Sequence, residues 1–276
     1  MTRFTCKSLA AAAVGCGALF AAPAHAQALD DDFWVEVSGY WASIETRVQV
    51  SSVGGTTIGT EINGESDLGL DDSEFLPMVH AGARFGGNWI VGAEFFTLHR
   101  DTTNTLARDI TYDDVTYEAS ASVTSGFDTD IYRFTIGYAF IRTPTVEVGG
   151  AIGVHATDVE ASIEGEGRIG NASAQFTRRS KQFLAPLPTV GLFAHFQVVP
   201  WLTVGGRIDY LSLSVGDYDG RLINTEASIA YRLFRNVGIG AAYRLVNYRV
   251  GVEKERYTGR FTYEFSGPTV FLQAGF

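Results

Sequence analysis

The sequence is poor in cysteine and in positive charge. Its two cysteines, Cys6 and Cys16, both lie near the N-terminus, so no disulfide framework and no cysteine-ligated zinc site is expected further along the chain. Its 21 lysines and arginines are outnumbered by 31 aspartates and glutamates, which gives a formal charge of −10. Because phosphate binding needs a basic face, this balance disfavours a nucleic-acid partner. With 46% hydrophobic residues, the chain is nevertheless too apolar to be disordered.

After the first 26 residues, the sequence also lacks a credible transmembrane helix. Its longest segment without Asp, Glu, Lys or Arg runs from 182 to 206, which is long enough to span a bilayer. This segment contains Pro186, Pro188 and Pro200, which a lipid-exposed helix would hardly tolerate. Its apolar residues alternate with others from Val190 to Val198, a period that indicates a β-strand with one apolar face.

The first 26 residues are predicted to be a cleaved signal peptide. A positively charged start is followed by an apolar run and a small-x-small cleavage motif. These features are Arg3 and Lys7, the run Leu9 to Phe20, and Ala24-His25-Ala26. Acylation at Cys16 is the weaker alternative, because Ala13 stands where lipoprotein motifs usually carry leucine and the apolar run continues past the cysteine. The sequence therefore predicts an exported domain of residues 27–276 without cysteine.

Period-two alternation recurs along this domain and predicts ten antiparallel strands. They are 33–48, 75–86, 89–100, 128–141, 146–158, 182–198, 201–214, 221–234, 237–252 and 260–276. The region 105–124 resembles a hairpin outside the membrane; if it descended, the count would be twelve, and merged segments would give eight. Near the end, Phe261, Tyr263 and Phe265 occupy odd positions whereas Val270 to Phe276 is apolar at even ones, so a β-bulge is predicted at Gly267-Pro268.

The predicted connections alternate in length. Tight turns at 86–88, 142–144, 199–200 and 235–236 contrast with long, polar, acidic segments at 51–73, 101–124 and 161–180. Aromatic residues stand where strands meet the tight turns, as in the girdle at a membrane interface. These residues are Phe85, Trp89, Phe140, Trp201 and Phe234. Short turns at one end and long loops at the other are typical of a transmembrane up-and-down β-barrel.

The chain ends on a strand at Phe276, with Ala274, Leu272 and Val270 on the same face. This ending resembles the C-terminal strand of the outer-membrane β-barrel proteins of Gram-negative bacteria. The resemblance implies an all-β transmembrane barrel in that outer membrane, in contact with lipid and lipopolysaccharide. It also implies that the assembly machinery of that membrane recognises the C-terminal strand ending in Phe276. No feature of the sequence indicates an oligomeric state.

Assigning the apolar faces to lipid places a set of charged residues in the barrel interior. This predicted lumen charge network comprises Glu36, Arg84, Glu94, Arg133, Glu147, Arg207, Asp209, Glu226, Arg232, Arg244 and Glu264. The interior of so small a barrel is narrow, and arginine and carboxylate groups pair across it with forked geometry. Two interpretations follow: a salt-bridged plug, which the near balance of charge favours, and a narrow pore whose charges select solutes.

The predicted function is passive, as a small porin-like channel or a structural, surface-facing barrel. No catalytic residue, cofactor or metal is expected. The alternative is a lipid hydrolase or protease with its site at the extracellular rim, near Asp71-Asp72, Asp113-Asp114 and Asp217-Tyr218-Asp219. No spacing matches a nucleophile motif, and three histidines on inward faces are interpreted as hydrogen-bonded lumen residues. They are His80, His155 and His195. The acidic loops are interpreted as solvated.

Overall fold

The structure, a computed structural model, describes residues 31–52, 59–112, 115–169, 172–253 and 257–276. The predicted signal peptide and Asp113-Asp114 lie outside these ranges. The described chain is almost entirely β-strand, because apolar and polar residues alternate along it and β-branched and aromatic residues are abundant. Among the described residues, no helix is long and apolar enough to cross a membrane.

Thirteen strands and one short helix make up the described chain. They are β1 (Phe33–Ser52), β2 (Ile62–Asn63), α1 (Gly64–Leu68), β3 (Ser73–Phe85), β4 (Trp89–Thr105), β5 (Ile110–Tyr112), β6 (Val115–Tyr117), β7 (Ser122–Arg142), β8 (Val146–Ile169), β9 (Ala172–Val199), β10 (Leu202–Val215), β11 (Tyr218–Arg232), β12 (Val237–Glu253) and β13 (Tyr257–Gly275). Ten of them are long enough to cross a bilayer.

These ten long strands close into one antiparallel ring. The order around the ring is β1, β3, β4, β7, β8, β9, β10, β11, β12 and β13. The last strand then pairs with the first, from Trp34 opposite Gly275 to Ser52 opposite Tyr257. The predicted barrel of ten strands is therefore confirmed. Closure leaves no open sheet edge in the ring, as a membrane-spanning sheet requires.

Asp31, where the described chain begins, Phe276 and the four tight turns lie at the same end of the ring, here called the turn end. The backbone N–H of Phe276 donates to the carbonyl of Phe33 at 2.8 Å. In the turn between β3 and β4, Gly86 and Gly87 adopt φ angles of 53° and 81°, a conformation that favours glycine. The opposite end, here called the loop end, carries the connection from β1 to β3 and that from β4 to β7.

The loop end differs from the prediction in one connection. Residues 161–180 were expected to be a loop, but β8 continues to Ile169 and β9 starts at Ala172. Their outward residues are polar because these strands extend past the membrane into water, so they resemble a loop in sequence. In the region 105–124, β5 and β6 pair as a small hairpin, with Ile110 opposite Tyr117, and do not descend. The hairpin therefore leaves the strand count at ten.

The predicted bulge at Gly267-Pro268 is wrong. The pairing of β12 with β13 keeps one register throughout, with Gly267 opposite Arg244 and Pro268 opposite Tyr243. Odd-numbered residues of β13 therefore face inward along its whole length, and Phe261, Tyr263 and Phe265 are buried inside the barrel. Along β13 the apolar residues move from the inward face to the outward face because the barrel passes from water into lipid. The register of the backbone stays the same throughout.

The outer surface of the ring has an apolar belt beside the turn end. All five predicted girdle aromatics are exposed at its lower edge, with Trp89 51% accessible and Phe140 57%. A second outward aromatic row contains the pairs Trp41–Phe75 and Phe95–Tyr132, with ring centroids 5.1 and 5.0 Å apart. The rows are about ten residues apart on β3, from Phe75 to Phe85, and about six apart on β4, from Trp89 to Phe95. At about 3.3 Å per residue and a tilt of about 40° these separations correspond to about 15–25 Å, up to the height of a membrane belt.

Beyond the second aromatic row most outward residues are polar, although Leu184 opposite Asp158 is an exposed exception. The polar residues include Ser43, Asp101, Asp130, Asp158, Ser212, Asn247 and Ser266. We therefore divide the barrel at the row formed by Trp41, Phe75, Phe95 and Tyr132. The transmembrane half lies between this row and the turn end, and the projecting half extends from it to the loop end.

The interior of the projecting half is a hydrophobic core. Its larger members are Tyr40, Ile44, Leu76, Phe96, Leu98, Phe127, Ile131, Tyr248, Phe261, Tyr263 and Phe265. Phe127 stacks on Phe261 with centroids 5.8 Å apart and meets Tyr263 edge-on at 5.3 Å. Leu68 of α1 and the β5–β6 hairpin join the same core. Packed rings therefore fill the barrel from wall to wall towards the loop end.

Candidate functional site

Ten members of the predicted lumen charge network lie on inward positions of the strands. The remaining member, Glu264, does not. It lies on the outward face of β13, accepts a hydrogen bond from Asn247 at 2.7 Å and stands opposite Glu45. The prediction failed there because it assumed the bulge at Gly267-Pro268, which would have reversed the face of the residues before it.

The centre of the network joins strands from both sides of the barrel. Arg133 of β7 donates to Asp209 at 2.6 Å and lies 3.5 Å from Glu94. Arg244 of β12 donates to the other oxygen of Glu94 at 2.6 Å. Arg207 forks onto Asp209 with contacts between 2.9 and 3.1 Å. These five side chains cross the interior as a chain of charge-assisted hydrogen bonds, joined at its centre by the ion pair between Arg133 and Glu94.

Arg244 connects this network to the hydrophobic core. Its side chain is 0% accessible, and its guanidinium lies 5.6 Å from the ring centre of Phe96. Its Nε donates to Asn224 Oδ1 at 3.0 Å, and the amide nitrogen of Asn224 donates to Asp209 at 3.2 Å. Asn224 was absent from the predicted network, although it occupies the same inward face of β11 as Glu226. A search limited to charged residues misses such an amide.

Two more ion pairs stand nearer the turn end. Arg84 lies 2.7 Å from Glu147, with both side chains almost fully buried. Arg232 pairs with Asp31 at 2.6 Å. Asp31 precedes the first strand, so alternation gave no reason to place it inside. His195 Nδ1 lies 3.8 Å from Glu147 and adds a weaker contact.

A cavity of about 230 Å³ lies within the transmembrane half. It extends from Met78 and Ala242, beneath the hydrophobic core, to Asp31, Asn236 and Gly275 at the turn end. Charged, aromatic and small residues share its wall. They include Trp34, Glu36, His80, Glu226, Thr269 and Phe271.

The loop end has its own charged contacts around α1. Arg100 donates to Glu65 at 2.7 Å, to the carbonyl of Asp71 at 2.9 Å and to Thr46 at 2.5 Å. Arg108 pairs with Asp67 at 2.6 Å, and its hydrogen bond holds the pKa of that carboxyl below the ordinary value. Acidic residues expected to be solvated thus fasten α1 over the core.

The residues considered for a rim enzyme do not assemble into a site within the described chain. His80, His155 and His195 lie inside the barrel, far from the rim aspartates in the fold. Exposed His99 contacts the Thr97 hydroxyl at 3.2 Å through Nδ1, but within the described ranges no carboxylate is hydrogen-bonded to its ring. No group of three metal-ligating side chains occurs among the described residues.

Comparison with known proteins shows the fold. No protein-family model and no curated protein matches the chain. The outer membrane protease OmpT from Escherichia coli superimposes with a TM-score of 0.55 and 13% identity, over 90% of this chain and 97% of that chain. A FadL homologue of Pseudomonas aeruginosa gives 0.38 and 8%, over 91% and 93%. The attachment invasion locus protein Ail of Yersinia pestis gives 0.32 and 12%, over 86% and 99%.

The likeness to OmpT shows the architecture and, at that identity, nothing about activity. The other two superpositions are too weak to carry an argument. This chain therefore has the fold of the outer-membrane β-barrels of Gram-negative bacteria, and the apolar belt between its two aromatic rows lies in that membrane.

Proposed function

We propose that this protein is a structural, surface-facing barrel whose interior does not conduct ions. The observation that carries the proposal is the continuity of the interior filling: Arg133, Glu94 and Arg244 bridge the lumen, and Arg244 packs directly against Phe96 of the core above it. A channel needs a continuous water path, and both the ion-paired layer and the packed aromatic layer interrupt it.

Planar-bilayer conductance of the purified full-length barrel tests this proposal. We expect no steady current steps from the wild type, whereas the double variant Arg244→Ala with Phe96→Ala removes a group from each layer and should conduct. Thermal unfolding of the same preparations checks that both are folded. Current steps from the wild type whose ion selectivity changes in Arg133→Ala would contradict a closed barrel and support a narrow channel.

The rim-enzyme alternative is tested on the same preparations. Labelled phospholipid and labelled peptide should remain intact after incubation with the folded wild type. Turnover that is abolished by His99→Ala, and that a heat-unfolded sample lacks, would replace the passive role with a catalytic one. His155→Ala serves as the matched control, because that histidine is buried inside the barrel.

We further propose that the protein is exported by a signal peptide cleaved near Ala26 and assembled through its last strand, with lipid and lipopolysaccharide as its surroundings. The Phe276 side chain is 72% accessible and packs little against the barrel, while its backbone closes the ring. Phe276→Ala should therefore leave the melting temperature in detergent unchanged but reduce the amount of protein in outer-membrane fractions. Equal amounts of wild type and variant there would contradict the assembly role.

A further inference from the structure

A groove of about 600 Å³ lies on the outer surface of the barrel, directly above the second aromatic row. Its residues come from four neighbouring strands of the ring, β1, β13, β12 and β11. It begins at Ser43, two residues beyond Trp41, and its residues Leu245 and Ile223 continue the outward apolar faces of β12 and β11. The groove therefore lies where the apolar belt meets the polar surface of the projecting half.

The charges of this groove are sorted into two pairs of like sign. Arg221 of β11 stands directly opposite Arg249 of β12, and Glu45 of β1 stands directly opposite Glu264 of β13. Like charges that face each other across neighbouring strands destabilise a sheet. The arrangement is unfavourable for the barrel alone, and it becomes favourable when a group of opposite charge lies against each pair.

The arginine pair has no partner of its own in the barrel. Arg221 and Arg249 are exposed, and within the described chain neither side chain has an ion pair or a hydrogen bond. Guanidinium groups bind phosphate oxygens with forked hydrogen bonds, and two of them side by side can hold one phosphate. Because the pair lies just above the apolar belt, at the level of the lipid headgroups, the anion available to it is a lipid phosphate.

The glutamate pair has capacity for a hydrogen-bond donor. Glu264 accepts a hydrogen bond from Asn247 through one oxygen, and Glu45 contacts Arg47 through one oxygen. Within the described chain, the second oxygen of each carboxylate accepts no hydrogen bond. A primary ammonium has three N–H donors and can bridge two such oxygens. A quaternary ammonium has none, so it cannot make these bonds.

The spacing of the two pairs matches one headgroup. Glu264 stands opposite Asn247, and Arg249 lies two residues further along the same strand as Asn247, so Arg249 and Glu264 are diagonal neighbours. Diagonal neighbours on adjacent strands are about 7–8 Å apart. A phosphate and a primary ammonium joined by two carbons can lie between a guanidinium and a carboxylate at this separation.

The opposite wall of the barrel carries a different set of charges at the same level. Beyond Tyr132 of the second aromatic row, the outward residues are Asp130 and Asp128 on β7, and Asp158 on β8 stands opposite Asp130. These carboxylates repel a phosphate. A headgroup that carries a phosphate is therefore directed to the side of the groove.

We propose that this groove binds one membrane lipid whose headgroup carries both a phosphate and a primary ammonium. Arg221 and Arg249 hold the phosphate, Glu45 and Glu264 hold the ammonium, and the acyl chains lie along the belt below Leu245. The proposal rests on the lipid surroundings proposed above and names one lipid among them. It does not depend on whether the barrel conducts.

Native mass spectrometry of the full-length barrel tests the proposal. The protein is released from detergent micelles after titration with phosphatidylethanolamine, phosphatidylglycerol or phosphatidylcholine of identical acyl chains. We expect one molecule of phosphatidylethanolamine to bind saturably. Phosphatidylglycerol, which has no ammonium, and phosphatidylcholine, whose ammonium has no N–H, should each bind several-fold more weakly.

Substitutions at the two pairs should affect the lipids differently. Arg249→Gln removes a phosphate contact and should weaken phosphatidylethanolamine and phosphatidylglycerol alike, about three- to fivefold, the range for an exposed ion pair. Glu264→Gln removes an ammonium contact and should weaken phosphatidylethanolamine alone, so the preference over phosphatidylglycerol disappears. A merely structural loss would not separate the two lipids in this way.

The controls are Arg235→Gln in a tight turn at the opposite end of the barrel and Asp130→Asn on the opposite wall. Both should bind like the wild type, and thermal unfolding should show that every variant is folded. Equal binding of the three lipids, an equal loss in the controls, or displacement of phosphatidylethanolamine by an equal concentration of lipopolysaccharide would overturn the proposal. Absence of binding to the folded wild type removes the lipid site alone, because conductance and recovery from outer-membrane fractions test the proposed function separately.

Discussion

The two halves of this barrel have opposite patterns of polarity. The transmembrane half is apolar outside and charged inside, whereas the projecting half is polar outside and aromatic inside. The same strands run through both halves with the same inward parity, so the backbone does not cause the difference. The cause is the solvent: lipid tails offer no gain for burying apolar side chains inward, while water outside the projecting half drives them into a core as in a soluble protein.

The comparison also shows why each half needs a different kind of interior contact. In the transmembrane half, charges such as Arg133 and Arg244 persist because partners from other strands satisfy them. In the projecting half, apolar packing replaces ion pairs, and Arg100 enters only where Glu65, Thr46 and Phe127 meet it. The two halves are therefore expected to respond differently to comparable substitutions.

The largest effect is expected at the junction between the halves. Arg244→Ala leaves Glu94 with only the weaker of its two arginine contacts and removes the hydrogen bond that Arg244 donates to Asn224. The free energy of unfolding should fall by about 3–5 kcal/mol. Water that enters the cavity and solvates Glu94 would reduce this loss. The control is Arg249→Ala, an exposed outward residue on the same strand, where a change within about 0.5 kcal/mol is expected. Urea titration in detergent measures both; equal losses would show that the interior pairs are hydrated as in a pore.

A slightly smaller effect is expected from two phenylalanines on β7. Phe127→Ala opens a cavity in the projecting core and should cost about 3–4 kcal/mol. Phe134→Ala shortens a side chain that faces lipid and should cost about 1 kcal/mol, because lipid tails fill the space. Unfolding midpoints of the two variants report the difference. If they shift alike, the interior of the projecting half is not a packed core.

The upper edge of the apolar belt is tested by moving a charge along the same strand. Ile136→Arg places arginine in the lipid-facing belt and should cost about 2–4 kcal/mol. Thr124→Arg places it on the outward face of the projecting half, where water solvates it and the cost should stay within about 0.5 kcal/mol. Folding equilibria in lipid vesicles are the appropriate measurement. A high cost at both positions would extend the belt over the whole barrel.

The smallest effect concerns the clamp on α1. Asp67→Asn weakens the pair with Arg108, which is half exposed, so a loss of about 1 kcal/mol or less is expected at pH 7. Because the pKa of Asp67 is lowered in the folded state, its contribution is present above the ordinary carboxyl pKa and is lost as the pH falls through the lower folded value. Hydrogen exchange of the α1 amides at pH 7 and below pH 4 follows this. A difference from the wild type that persists at low pH would assign the effect to packing instead.

Much of the fold was predictable from short-range patterns. Alternation identified all ten ring strands, and the tight turns and girdle aromatics identified the turn end. Strand ends were less predictable, because β8 and β9 leave the membrane and continue in water with polar outward residues such as Asp158 and Glu160. A hydropathy pattern cannot distinguish a solvated strand from a solvated loop.

The candidate site was predictable only as a set of inward positions. Alternation placed Glu94, Arg133, Asp209 and Arg244 inside, but the partners of each lie up to 150 residues away along the chain. It also misplaced Glu264, because an apolar residue was assumed to face lipid at every height of the barrel. It overlooked Asn224 because only charged residues were considered. Phe261, Tyr263 and Phe265 contradict that assumption.

The sequence by itself predicted ten strands, with eight and twelve as open alternatives, the parity of every face except the first part of β13, and the end at which the tight turns lie, because these depend on the period-two geometry of a strand and on local turn chemistry. Only the tertiary structure decided which charges pair, where the interior changes from polar to aromatic, and which charged side chains line the cavity. These outcomes depend on ring closure, which places side chains from strands far apart in the sequence on opposite walls of one narrow interior. They also depend on the surroundings of the barrel, because lipid or water outside each level determines whether the interior there is polar or apolar.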